Sequence, residues 1–270
     1  IEVVQNACQS TSCPVEFTRA VRTCRRFFLI TAISRPTIEM TPLSLSHISG
    51  TSRQTDIAAL FDVDNTLLPG QASEVRFFRF LWKRGLVGWR ELRDSVGWVL
   101  RNAPPVSLHP LRERKLYLAG KAAAEVESLA EEFCRAELFP RLSAQGLARM
   151  DEHRRAGHHI VLVTGSLDFL IAPLATLLEV PTLLAAKLER QQRRFTGQVC
   201  VPLPYGPGKR ALIARLTQES RIDLTQSFAY GDSPGDVELL EMVGHPLVVN
   251  PIRGMDRIAR RNGWPVTRWK

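Results

Sequence analysis

The sequence predicts an α/β fold, a doubly wound parallel sheet carrying an inserted helical block. Three observations lead there. Ile57 to Phe61 is an unbroken apolar run ending at Asp62, as a strand covered on both faces requires. From His159 onward, short apolar runs alternate with segments of helical period and glycine-containing turns, the pattern of strand-helix-strand units. Between about 70 and 140 no strand pattern occurs, so a helical insertion should separate the first strand from the second. A chain of 270 residues has room for one large α/β domain, or for a domain of about 150 residues with a smaller one inserted.

Taken in order, residues 1–54 read as an extension that is not part of the fold. They are rich in Ser, Thr and Arg, poor in acids and without sustained periodicity, which is a transit-peptide composition. The first methionine is Met40, however, and a start there, with residues 1–39 outside the working protein, is the preferred reading. Most of residues 1–50 is expected to be disordered. The first strand, Ile57 to Phe61, ends in Asp62-Val-Asp64-Asn-Thr66, and Pro69-Gly70 marks a turn. Val75, Phe77, Phe78, Leu81 and Trp82 recur at helical spacing; Leu86 to Leu100 and Ala123 to Ala136 read as further helices, with a proline-rich loop over Asn102 to Pro110. Trp82, Trp89 and Trp98 are expected in the core of this block. The predicted division is therefore 55–69 and 141–270 for the α/β core and 70–140 for the helical cap.

The sheet should resume at His159 to Thr164, with Gly165-Ser166 opening a helix over 168–178. Leu183 to Leu188 and Phe195 to Val201 flank the polar run Glu-Arg-Gln-Gln-Arg-Arg, which predicts a hairpin at the edge of the sheet. Gly208-Lys209 starts another helix, Ser227 to Tyr230 is a short strand, and Gly231 to Asp236 is a loop. Leu247 to Val249 is expected as the last core strand, followed by a closing helix over Ile252 to Arg261.

Charge and cysteine usage narrow the function classes. The net charge of +9, from 36 basic and 27 acidic residues, is scattered along the chain, which favours anionic small molecules by steering. No stripe of basic and aromatic residues and no nucleic-acid motif appears, so nucleic acid is not expected as a partner. Five cysteines, three of them among the first 24 residues, fit a reducing compartment, read as the cytoplasm; Cys134 and Cys200 are expected in the core. No apolar run approaches the roughly 18 residues of a membrane helix. Oligomeric state is not set by the sequence. His158 and His159 have no spaced partner for a zinc site, and Gly206-Pro-Gly-Lys209 lacks the length and following hydroxyl of a nucleotide-binding P-loop.

The chemistry-bearing residues fall where predicted strands end or helices begin. Ligand sites in parallel sheets lie just beyond the carboxyl ends of strands, and there stand Asp62 and Asp64, Thr164 with Gly165, Lys209, and the pair Asp232 and Asp236. Two carboxylates as close as Asp62 and Asp64 repel unless a cation neutralises them or one holds a proton. That spacing suggests a divalent metal, a nucleophile with an acid/base partner, or both. Thr164 and Gly165 can bind phosphate oxygens with the N–H groups of the next helix start, and Lys209 adds a compact positive charge. Asp232 and Asp236 can complete a magnesium site.

In these residues the chain resembles the haloacid dehalogenase superfamily, and within it the phosphoserine-phosphatase-like branch. The first motif, Asp-x-Asp-x-Thr, matches Asp62, Asp64 and Thr66; the second matches Thr164, the third Lys209, and the fourth Asp232 and Asp236. The likeness runs over about residues 57–267 and implies a Rossmann-like core with a helical cap. It implies a magnesium-dependent phosphomonoesterase in which Asp62 is the nucleophile and forms an aspartyl-phosphate, with Asp64 as general acid and base. It also implies metal ligands from Asp62, the Asp64 backbone carbonyl and Asp232, with Asp236 behind them. A phosphotransferase or mutase, or a regulatory protein that binds a phospho-ligand without turning it over, are the alternatives. The branch carries a Glu nine residues after the nucleophile, where this chain has Gln71, and an Asn before its last Asp, where this chain has Gly235. Both departures point to a small phosphomonoester other than phosphoserine. Gln71, Arg112 and Arg114 are the candidate substrate contacts, since a guanidinium can hold a carboxylate or second phosphate in bidentate fashion.

Overall fold

The computed structural model describes residues 56–102 and 112–269, so the expected N-terminal extension and most of the proline-rich loop lie outside the described residues. The sheet has six parallel strands: β1 (Ala58–Phe61), β2 (His159–Leu167), β3 (Thr182–Ala186), β6 (Phe228–Gly231), β7 (His245–Val249) and β8 (Val266–Thr267). Their spatial order is β3-β2-β1-β6-β7-β8. From β1 the chain winds outward through β2 and β3, then returns to lay β6 on the other side of β1. The strand order thus reverses between β1 and β6, and the crevice beyond their carboxyl ends is where such sheets bind ligands.

Side-chain alternation along β1 feeds two cores. Ala59 and Phe61 face a cluster with Phe77, Phe133, Met150, Leu170 and Leu174, while Ala58 and Leu60 face Ile213, Leu240, Met255 and Ala259 on the other side. The first face is covered by α4 (Ala144–Arg155) and α5 (Asp168–Leu177), the second by α6 (Pro207–Ser220), α7 (Val237–Glu241) and α8 (Met255–Asn262). A run such as Ala-Ala-Leu-Phe has no polar position because both faces of its strand are covered, all four residues being fully buried. Between β1 and β2 lie α1 (Ser73–Lys83), α2 (Trp89–Asn102) and α3 (Ala123–Phe133). After α3 the helix widens into a π turn over Cys134–Leu138 and tightens into a 3-10 turn over Phe139–Arg141.

Several expectations are corrected. The polar run does make a hairpin, β4 (Leu188–Gln191) with β5 (Arg194–Val199), but as a separate two-stranded sheet, while β3 belongs to the main sheet. Instead of edging that sheet, β5 pairs with the helical block: Lys115 N–H donates to the Gly197 carbonyl at 2.7 Å and Phe195 N–H to that of Lys121 at 3.0 Å. The hairpin turn places Gln192 and Arg193 at φ 49° and 63°. That conformation usually draws Asn-Gly, so the sequence carried no turn signature. The last strand is β8, not Leu247 to Val249, and α4 was not read from the sequence at all. Cys200 is exposed rather than in the core, whereas Cys134 is buried and its thiol is pushed up to about 11, by burial first. Trp89 is 76% exposed and packs edge-on against Trp82, so the three tryptophans do not share one core.

Candidate active site

At the crevice between β1 and β6, backbone bonds put the key carboxylates in place. Asp62 N–H donates to the Tyr230 carbonyl at 2.9 Å, which continues the β1 to β6 ladder one residue past the strand. Asn65 takes a left-handed conformation at φ 58°, tolerated by Asn because its short polar side chain bonds locally. Its amide donates to Asp232 Oδ2 and to the Asn250 carbonyl, both at 2.9 Å, so one turn ties β1 to the ends of β6 and β7. Gly231 is required by close approach: a Cβ there would lie 2.5 Å from that of Asp236.

Asp62, Asp232, Asp236 and Lys209 are all buried, and oxygens of the three carboxylates lie within 4.8 Å of one another. Lys209 Nζ donates to Asp62 Oδ1 at 2.7 Å, to the Val163 carbonyl at 3.3 Å, and to Asp236 Oδ1. Burial opposes the charge on Lys209, but Asp236 and Asp62 outweigh it and raise the pKa. Asp236 is pushed up by burial, yet Lys209 and the donors on Ser233 prevail and hold it below the usual carboxylate range. Asp62 is raised well above that range, by burial first and Asp236 second, against the pull of Lys209. Asp232 is pushed up to about 7, again by burial and then Asp236. Three buried carboxylates therefore face one buried ammonium, and the group lacks positive charge. The chemistry of this donor set fits a hard divalent cation with oxygen ligands. Asp236 is the least available of the three, since its Oδ2 also accepts from Asp232 N–H at 3.2 Å, Ser233 N–H at 3.0 Å and Ser233 Oγ at 2.9 Å.

Asp64 is held differently. Its Oδ1 accepts from Ser73 N–H at 2.6 Å and its Oδ2 from Ser166 Oγ at 2.6 Å and Ser73 Oγ at 3.1 Å. Its carboxylate is thus fixed between α1 and the end of β2, apart from the buried cluster. Thr164 is buried, its hydroxyl oxygen accepts from Ser166 N–H at 3.1 Å, and no acceptor for its O–H is found among the described residues. Ser73, Ser166, Asn65 and Asn250 were not singled out from sequence as site residues; only their contacts with the two aspartates reveal them.

A cavity of about 580 Å³ opens over these groups, lined on the sheet side by Asp62, Asp64, Thr164, Gly165, Lys209 and Asp232. Its far wall comes from the helical block and includes Phe78, Trp98, Arg112, Arg114 and Tyr117. Arg112 and Arg114 line this wall, Arg112 over the ring of Tyr205 and Arg114 over that of Trp98, and neither makes an ion pair among the described residues. Trp98 lines the cavity instead of packing inside the block. Gln71 does not line it: it is exposed, with its side-chain oxygen accepting from Arg79 at 2.6 Å. Glu74 enters the cavity instead, accepting from Lys115 at 2.8 Å and from the Tyr117 hydroxyl at 3.1 Å.

Known proteins resemble the chain over the same region. The sequence profile of haloacid dehalogenase-like hydrolases matches residues 59–241. A histidinol-phosphatase of Neisseria meningitidis is 30% identical over 222 residues, 78% of this chain and 98% of its own. A phosphoserine phosphatase of Mycobacterium tuberculosis is 29% identical over 233 residues, 81% of this chain and 74% of its own. Among solved structures, a protein of unknown function from Bordetella pertussis superposes with a TM-score of 0.68 at 30% identity, covering 79% of this chain and 98% of that one.

Proposed function

The chain belongs to the haloacid dehalogenase-like hydrolase family and is a phosphatase within it, and we propose that it hydrolyses small phosphomonoesters with magnesium through an aspartyl-phosphate on Asp62. The observation that carries this is the buried ion cluster beneath the cavity, in which Asp62 meets Lys209 at 2.7 Å with Asp232 and Asp236 alongside. A carboxylate attacks an anionic phosphate only when the repulsion is relieved, so the site must supply positive charge where the phosphoryl group sits. Lys209 supplies one unit. Asp62, the Asp64 backbone carbonyl and Asp232 would hold the magnesium, with Asp236 orienting Lys209 from behind. Bound there, the ion would neutralise the excess charge and orient the phosphoryl oxygens.

The chain's own groups divide the remaining work. Thr164 Oγ1 and the N–H groups following it bind phosphoryl oxygens. Asp62 attacks phosphorus while Asp64, held by Ser73 and Ser166, gives a proton to the departing oxygen. Asp64 then takes a proton from the water that cleaves the aspartyl-phosphate, and phosphate leaves.

For the leaving group, we infer a small metabolite with a second anionic group, chiefly not phosphoserine. Arg112 and Arg114 line the cavity without carboxylate partners among the described residues, which favours a carboxylate or a second phosphate over a leaving group such as histidinol. Glu74 is already occupied by Lys115 and Tyr117, which leaves little capacity for the amino group of phosphoserine. No described helix is long and apolar enough to cross a membrane; we place the enzyme in the cytoplasm on its cysteine pattern. The test is hydrolysis of 4-nitrophenyl phosphate with and without magnesium, followed by a panel of phosphoserine, histidinol phosphate, glycerol phosphates and sugar phosphates. No magnesium-dependent turnover of any of them would sink the proposal.

A further inference from the structure

We infer that Tyr205 is the positioning residue that sets leaving-group selectivity, by carrying Arg112 flat on its ring at the wall of the cavity; this rests on the reading of Arg112 as an anion contact. The guanidinium carbon lies 3.4 Å from the centroid of the Tyr205 ring, and both residues line the cavity. A guanidinium stacked on a ring uses its face, and its N–H donors lie in its plane, so the stack leaves the donating edge available to an anion. Arg112 makes no ion pair among the described residues, and there its charged group rests on the Tyr205 ring.

Two backbone features build this stack. On one side, Arg114 and Gln198 form an antiparallel bridge and Lys115 N–H donates to the Gly197 carbonyl, so the chain leading in from Arg112 runs beside the chain leaving β5 toward Tyr205. On the other side, Gly206 N–H donates to the Gly235 carbonyl at 3.1 Å, which anchors the Tyr205 loop to the loop that bears Asp232 and Asp236. The ring then sits where a side chain at 235 would have to go: a Cβ on Gly235 would lie 2.3 Å from Tyr205 Cε2 and 2.8 Å from Cδ2. Position 235 is where the phosphoserine-phosphatase branch carries Asn. The glycine at 235 thus makes room for a ring that carries an arginine from the helical block.

Two esters of similar shape read this out: 4-nitrophenyl phosphate, with a neutral para group, and 4-carboxyphenyl phosphate, with an anionic one. Tyr205→Leu should lower the ratio of kcat/KM for the carboxyl ester to that for the nitro ester at least tenfold relative to wild type, with the loss carried by KM. Tyr205→Phe keeps the ring and should restore the ratio to within about twofold. Arg112→Gln should lower the ratio as Tyr205→Leu does, and the double variant should lose no more than either alone. An equal loss on both esters, a loss carried by kcat, or a Tyr205→Phe variant as impaired as Tyr205→Leu would overturn the inference and leave the phosphatase reading standing. If Tyr205→Leu does not fold, Arg112→Gln decides: an unchanged ratio overturns the inference. Failure of the wild type to hydrolyse either ester would remove the phosphatase reading and the inference together.

Discussion

The two walls of the cavity are built on opposite plans. On the sheet side nearly every polar atom has its partner: Lys209 binds two carboxylates and a carbonyl, Asp236 accepts from four groups, and Asn65 and Asn250 lock the strand ends to each other. On the helical side aromatic rings carry arginines that have no carboxylate partner among the described residues. A site that is fully satisfied is rigid and treats every substrate alike, because it meets only the phosphoryl group; a wall with open donors is where substrates are told apart. Substitutions on the sheet side should therefore change kcat for all substrates equally, while substitutions on the helical side should re-rank substrates.

The strongest way to break this division is Asp62→Asn. It removes the proposed nucleophile at nearly constant volume and should lower kcat more than a thousandfold for every ester, about 4 kcal/mol or more of transition-state stabilisation. Circular dichroism should be unchanged. A purified variant that kept a tenth of wild-type activity would rule out attack by Asp62.

Magnesium withdrawal comes next. Exhaustive chelation should reduce turnover at least about a hundredfold on all substrates, and calcium should not restore it, since calcium takes more ligands at longer distances. Asp232→Ala should behave like chelated wild type. In thermal melts, magnesium should raise the Tm of wild type by several degrees and leave that of Asp232→Ala unmoved. Undiminished activity in chelator would refute the metal site.

A smaller and more discriminating effect is expected at Ser166. It lines the cavity and donates to Asp64 Oδ2 at 2.6 Å, one of two side-chain hydroxyls that fix the proposed acid/base group. Ser166→Ala should cost roughly tenfold in kcat, about 1.4 kcal/mol, in line with loss of a hydrogen bond to a charged group. The cost should be the same for good and poor substrates. If it varied with the leaving group, Ser166 would belong to the selective wall.

This contrast also explains what the sequence could disclose. Asp62, Asp64, Thr164, Lys209, Asp232 and Asp236 could be singled out because each falls near the end of a predicted apolar strand or the start of a predicted helix, and all six line one cavity, although Thr164 lies inside β2 and not at its end. Ser73 and Ser166 were not, since a serine has no spacing rule and its role here arises from two elements meeting at Asp64. The β4-β5 hairpin was visible as a polar run between apolar ones, but its docking on the helical block depends on backbone bonds that no side chain announces. Periodicity identified α1 and α2 but not their faces, because this block has two neighbours, the sheet and the cavity, and helical spacing cannot tell one from the other. Hence Trp82 packs inward, Trp98 lines the cavity and Trp89 is left largely in solvent. Tyr205 was hidden most completely, since its signal is the missing side chain at Gly235, thirty positions along the chain.

The smallest effect, and the sharpest test of the two-wall division, is expected at Lys115. This lysine is 8% exposed and its ammonium meets Glu74 at 2.8 Å, with the Tyr117 hydroxyl on the other carboxylate oxygen. While the pair is intact Glu74 presents little net charge to the cavity, so a leaving group bearing an amine finds no partner. Lys115→Met keeps the apolar stem and removes the charge. Glu74 then faces the cavity with Tyr117 alone, and an ammonium on the substrate can replace the lost one. We expect kcat/KM for phosphoserine to rise about three- to tenfold relative to 4-nitrophenyl phosphate, through KM, while kcat for the nitro ester stays within about twofold. The variant should also melt a few degrees lower, because removing one partner leaves a partly buried carboxylate uncompensated. If phosphoserine gained nothing while the Tm fell, Glu74 and Lys115 would be a structural pair. If kcat fell equally for both esters, the helical wall would be acting on the chemical step, and the division between the two walls would be wrong.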